Sequence, residues 1–155
     1  WDIDKDDLLL RTKEEILDLA AGGNVLFRGW GATHVLMKVP HALCVRVCAP
    51  MDSRKRELMA RTGMHKSSIA ENEIRKNDDA HSRVLSRLFH ADWDEATGYD
   101  AVLNLERMSV PSCVALITQL ERKPELAQTE ASRRVLCDLR TEARIRAMLY
   151  EDNVE

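Results

Sequence analysis

The spacing of apolar residues near the start of the chain changes from helical to continuous. Ile16, Leu17, Leu19 and Ala20 recur at helical spacing behind Thr12-Lys13-Glu14-Glu15. That tetrad reads as a capping box, in which Thr12 and Glu15 each satisfy an orphan amide, and Gly22-Gly23 supplies a left-handed stop. The pattern predicts a helix of roughly ten residues or more. Asn24-Val25-Leu26-Phe27 follows as a short apolar run between glycines, the signature of a strand buried on both faces. It leads into a turn at Arg28-Gly29-Trp30-Gly31-Ala32.

Leu43-Cys44-Val45-Arg46-Val47-Cys48-Ala49 is the clearest strand, rich in β-branched residues and ended by Pro50, which lacks an amide donor. A helix is expected from about Asp52 to Thr62, closed by Gly63. Ser68-Ile69-Ala70-Glu71 is a second capping box. It opens a charged stretch with Ile74, Val84, Leu85, Leu88 and Phe89 as its apolar members, either one long helix or two broken near Asn77-Asp78. Ala101-Val102-Leu103-Asn104-Leu105 is the third strand. Ser109 then caps a helix with Pro111 in its first turn and Val114, Leu116, Ile117 and Leu120 on the side expected to be buried. Thr129 starts a last helix, with Val135, Leu136, Leu139, Ala143 and Ala147 at helical spacing through an arginine-rich surface. Strands alternating with helices predict an α/β fold: a parallel sheet wrapped by helices, plus an additional C-terminal helix. Ligands in such sheets sit at the carboxyl ends of the strands, so the turns after Phe27, Ala49 and Leu105 matter most.

Composition narrows the function classes. With 155 residues, 45% apolar and 32% charged, the chain is long enough for one compact domain with its own core. A formal charge of -3 with acids and bases interspersed gives no basic field, so no nucleic-acid partner is expected. Nowhere do about 18 apolar residues run without a charge, and the opening Trp1-Asp2-Ile3-Asp4 lacks the order of a signal peptide. A cytoplasmic protein with no membrane partner is the expectation. Cys44, Cys48, Cys113 and Cys137 form no C-x-x-C pair and read as reduced core thiols. His34, His41, His65 and His90 show no ligand spacing, so no metal site is predicted.

Several motifs in order carry a resemblance: Gly23-Asn24-Val25 with Gly29-Trp30-Gly31-Ala32, Leu43-x-Val45-Arg46-Val47-x-Ala49-Pro50 with Arg54, and Phe89-x-x-Asp92-Trp93 with Tyr99-Asp100-x-x-Leu103-Asn104. Taken together they resemble the cytidylate kinase-like family of P-loop nucleoside monophosphate kinases over about residues 6 to 122. The resemblance divides the chain into a kinase-like domain, 1–122, and a C-terminal helical extension, 123–155. It implies a nucleotide-binding role with a nucleoside monophosphate as partner, and Gly29, Trp30, Gly31, Arg54, Asp78 and His81 as the nucleotide-binding positions.

Three departures bear on catalysis. No stretch matches the family's G-x-x-x-x-G-K-[ST] phosphate loop. The family's Gly-Arg-Gly stands here as Gly29-Trp30-Gly31, which puts a neutral ring where a bidentate phosphate-binding cation belongs. The lid's Asp-x-x-Arg stands as Asp78-Asp79-Ala80-His81. No catalytic residue is therefore assigned, and ATP with Mg enters only if a phosphate loop lies upstream. The expectation is a fragment or, as Trp30 and His81 favour, a degenerate domain that serves as a binding or regulatory module. A truncated active kinase and a ligand-free oligomerisation domain are the alternatives, with a second copy or another domain of a larger protein as partner.

The remaining candidates read both ways. Arg46, within an apolar strand, fits either a ligand contact or a half-exposed strand position. Arg54 fits a lid-base role or a solvated helix surface beside Lys55 and Arg56. Trp30 reads more readily as packing than as a stacking platform, and Phe89, Trp93 and Tyr99 as core or hinge residues.

Overall fold

The computed structural model describes residues 5–29 and 31–152. Helix α1 (Lys5–Ala21) starts well ahead of its expected cap. Asp6 and Asp7 in its first turn complement the positive end of the helix, and Asp7 accepts a 2.7 Å bond from Arg11 one turn on. Thr12 and Glu15 therefore lie inside the helix and cap nothing. The stop is as expected, with Gly23 at φ +71.

Residues 24–27 correct the reading of a doubly buried strand. They pair with no described strand, and Leu26 is 94% exposed. An apolar run becomes a strand only where a neighbour supplies a hydrogen-bond ladder, and this segment has none among the described residues. Phe27 alone turns inward, packing against the core. The short helix α2 (Ala32–Leu36) follows.

Strands β1 (Val45–Cys48) and β2 (Ala101–Asn104) form a parallel pair in the register Val45↔Ala101 to Cys48↔Asn104. Backbone bonds close both ends: Asp100 N to Cys44 O at 2.8 Å and Leu105 N to Cys48 O at 2.9 Å. The Asp100 carboxylate also accepts from Cys44 N at 2.7 Å. Between the strands run α3 (Met51–Thr62), ended by Gly63 at φ +72, and α4 (Ser67–Phe89). The latter is a single 23-residue helix, unbroken at Asn77-Asp78. Its start corrects the second capping box, since Lys66 occupies the N-cap position and makes no side-chain cap bond. Glu71 is recruited elsewhere, to Lys55 and Arg75.

Helix α5 (Val110–Glu121) is capped as expected, the Ser109 hydroxyl accepting from Ser112 N at 3.2 Å. Its expected buried face is another correction, because Cys113 is the one buried residue. Helix α6 (Glu130–Asp152) begins behind Thr129. Thr129 Oγ1 accepts from Ser132 N at 3.1 Å while the Ser132 hydroxyl accepts from Thr129 N at 2.9 Å, a reciprocal cap. The core joins α1, α2 and α6 through Leu17, Val35, Leu36, Val39, Leu136 and Ala143. Of the four thiols, Cys44 and Cys113 are buried as expected, whereas Cys137 is exposed on α6. The result is a helix-rich α/β fold with a small parallel sheet and a C-terminal helix. No described helix is long and apolar enough to cross a membrane.

Candidate nucleotide site

Both parallel strands end at one opening. Ala49 leaves β1 and Leu105 leaves β2 beside a cleft of about 840 Å³, bounded by α3, α4 and the start of α5. Its floor is apolar, with Leu58, Ile74, Leu105 and Met108. Its rim is polar and mixed in charge: Arg54 and Arg61 from α3, Glu73 and Asn77 from α4, and Ser109 at the head of α5. The position matches the rule that open parallel sheets bind ligands outside the carboxyl ends of their strands. An apolar floor accepts a flat ring, guanidinium groups engage an anion, and carboxylates accept N–H donors.

Of the residues predicted from sequence, Arg54 lines this cleft and Asp78 binds Arg54. Arg54 donates from both terminal nitrogens to Asp78, at 2.7 and 2.6 Å. This fork-to-fork bond ties α3 to α4 across 24 positions. Hydrogen bonding to Asp78 raises the Arg54 pKa further above its ordinary value, so the cation is permanent. Arg54 is therefore neither a loose surface arginine nor a free ligand-binding cation. A ligand anion would have to compete with Asp78 for it. Lys55 reinforces the bracket, reaching Asp52 at 2.8 Å and Glu71 at 3.3 Å.

Arg61 is the rim cation that sequence reasoning missed. It faces the cleft two turns beyond Arg54 and makes no ion pair with a described carboxylate. The signal was present in the spacing of Arg54, Leu58 and Arg61, at intervals of four and three that place them on one face of a helix. Asn77 and Ser109 were equally legible as positions, the first beside Asp78 and the second as a helix cap. Neither showed from sequence that it would face the same opening.

His81 lies one turn after Asp78 and turns to a different neighbourhood. Its ring centroid is 4.7 Å from that of Trp93. Burial, with Arg46 and His34 adding to it, pushes its pKa below 6.5 against the pull of Asp78. The shift favours the uncharged imidazole. Arg46, mostly covered, lies 5.1 Å from the Trp93 ring centroid and 6.0 Å from that of Tyr99, and ion-pairs with Asp94. The Tyr99 hydroxyl donates to Trp93 O at 3.0 Å. These contacts make Arg46, Trp93 and Tyr99 a packed polar-aromatic block next to the strands.

The glycine turn falls elsewhere. Gly31 has φ +93, and a Cβ there would stand 2.5 Å from the Phe89 ring, so only glycine fits. Phe89 is the last residue of α4, 11 positions beyond Asp78, or about 16 Å along the helix. Gly29 precedes this turn with φ +156. Trp30 lies outside the described residues. The structure thus joins Asp78 to Arg54 of the cleft wall, sets His81 against Trp93, and puts Gly31 at the far end of α4. Among the described residues no group of acids, histidines or cysteines could hold a metal ion.

No curated protein and no solved structure matches the chain. Residues 2–107, more than half of it, match the model of the cytidylate kinase-like family. That span runs from α1 through β2 and includes the Arg54–Asp78 bracket, the His81–Trp93 contact and both parallel strands, and on it the chain belongs to the cytidylate kinase-like family.

Proposed function

We propose that this domain binds a nucleoside phosphate in the cleft at the ends of β1 and β2 and serves as a nucleotide-responsive module that does not transfer phosphate. The cleft itself carries the reading: an apolar floor and two arginines stand at the carboxyl edge of a parallel strand pair in a kinase-like family. Arg61 would meet the phosphate first, since Arg54 is held by Asp78. Glu73, Asn77 and Ser109 offer hydrogen-bonding partners to the sugar and base.

Two substitutions support the non-catalytic half of the reading. Gly29-Trp30-Gly31 has no cation between its glycines, and His81 stands in the lid position as a ring whose pKa burial lowers, where the family has an arginine. Phosphoryl transfer depends on positioning and charge stabilisation, and losing one such arginine costs about 10³ or more in rate, roughly 4 kcal/mol of barrier. Gly31 and His81 lie away from the cleft, so these losses bear on transfer and leave binding in the cleft as the proposed use of the site.

Isothermal titration of CMP, and then of ATP, into the purified chain tests the proposal. Micromolar binding of CMP is expected, weakened about tenfold or more by Arg61→Ala and also weakened by Arg54→Ala, with the helical circular dichroism of both variants unchanged. Absence of heat with either nucleotide would remove the nucleotide role.

A further inference from the structure

Two basic side chains act on Asp78. Arg54 of α3 takes both of its oxygens, at 2.7 and 2.6 Å, and the pair is mostly covered, with the Arg54 side chain 31% and that of Asp78 22% exposed. Solvent therefore screens this charge only in part. His81 lies three positions further along α4, the spacing that sets two side chains side by side on one helix face. A fork needs carboxylate and guanidinium in one plane, so a second cation that draws the carboxylate round weakens it.

His81 is fixed on its other side. Its ring centroid stands 4.7 Å from that of Trp93, and the Arg46 guanidinium lies 5.1 Å from the same indole. The charges that face His81 come from three elements: Asp78 on its own helix, Arg46 on β1 and His34 on α2. Arg46 is itself paired with Asp94. Burial opposes a charged ring at His81 most, Asp78 favours one, and Arg46 and His34 add to the opposition. While Arg54 holds Asp78, the carboxylate's charge is largely answered. Anything that takes Arg54 away leaves a half-buried carboxylate without its cation, and His81, one turn on, can supply one by taking a proton from solvent.

We propose that Asp78 is a proton-linked latch: Arg54 holds it while the cleft is empty, and it passes to an imidazolium at His81 when an anion in the cleft takes Arg54. The anion's part in this rests on the nucleotide reading above, whereas the exchange of Asp78 between its two bases does not. Binding of a phosphate group is then accompanied by proton uptake, so the cleft fills more readily as pH falls. The same event reaches the Trp93 block, which His81 touches. A histidine suits this position because its charge can change near neutral pH, whereas an arginine there would pull on Asp78 at every pH.

Proton NMR titration of the imidazole signals in the full chain, without nucleotide, tests the latch, the His81 signal being assigned by its loss in His81→Gln. Arg54→Gln frees Asp78 and should raise the proton affinity of His81 about tenfold. Arg54→Lys, which keeps the charge but not the fork, should raise it in the same direction by a smaller factor. In an Asp78→Asn background the Arg54→Gln change should move it by less than about twofold, the effect left to screened charge at a distance. Equal changes in the two backgrounds would overturn the latch, as would no change from either Arg54 variant in chains with unaltered helical circular dichroism. No nucleotide is present, so failure of the latch and failure of the nucleotide reading are separate results.

Discussion

Two pairs of helices in this molecule are held together by opposite means. Helices α1 and α6 meet through side chains removed from water, with Leu17, Leu136 and Ala143 in one cluster. Helices α3 and α4 meet largely through charge. Helix α3 buries no residue at all, and its grip on α4 runs through Arg54–Asp78 and the Lys55–Glu71–Arg75 chain. Apolar burial stabilises with little regard to salt or pH, whereas half-exposed ion pairs contribute little net energy but fix geometry. The contrast assigns a task to each pair. The first supplies the stability of the domain, and the second supplies a wall of the cleft that can open locally at low cost.

The largest expected effect breaks the apolar pair. Leu136→Ala removes a buried side chain between α1 and α6 and should cost about 2–4 kcal/mol, read as a lower urea midpoint for the entire chain. An effect confined to α6, with the rest unfolding as before, would show that the two helix pairs are separate cooperative units.

A smaller and more local effect breaks the polar pair. Asp78→Ala leaves Arg54 without its fork and should cost about 1 kcal/mol, the order expected for a half-exposed but bidentate pair. Hydrogen exchange should quicken along α3 and the middle of α4 while α1 and α6 keep their protection. Uniformly faster exchange would mean that the bracket supports the domain globally.

The sequence conveyed these two regions unequally. The helix stops at Gly23 and Gly63 and the caps at Ser109 and Thr129 were legible because each depends on local chemistry, and the paired strands showed as apolar runs whose neighbours happen to be present. The strand expected at 24–27 did not form, since pairing depends on a neighbour that hydrophobicity cannot reveal. Likewise Ser68 and Glu71 fit a capping box, but Lys55 from another helix competes for the same carboxylate. At the site, Arg54 and Asp78 were identifiable as positions, yet their mutual bond is a tertiary event separated by 24 residues. Arg61 escaped notice because an arginine at the end of an exposed helix has no signature until the opposite wall is in place.

The smallest effect is a pH dependence that charges the half-buried histidines. Burial lowers the pKa of His34, His41 and His81 below 6.5, with Arg133 adding to the shift at His41. Between pH 7 and the lowered native values the unfolded chain binds more protons than the native one, so stability should fall as pH drops below about 6.5. The paired carboxylates Asp52 and Glu71, whose pKa values are lowered chiefly by hydrogen bonds from Lys55 and Arg75, act in the same direction only below the ordinary carboxylate range. Urea midpoints at pH 7.5 and 5.5 separate the two windows. Replacing all three histidines by glutamine should flatten the upper window, and an unchanged slope would remove the histidines as its cause.

The cleft beside the charged helix pair is the proposed nucleotide site, and every functional role assigned to Arg61, Asn77 and Ser109 depends on it. Amide chemical shifts of the nitrogen-15-labelled chain during titration with CMP test this directly. Saturable shifts confined to Arg54, Arg61, Asn77 and Ser109 and their neighbours, with α1 and α6 unmoved, are the predicted result. Shifts clustered instead around Gly31 and Phe89, or none at millimolar CMP, would contradict it.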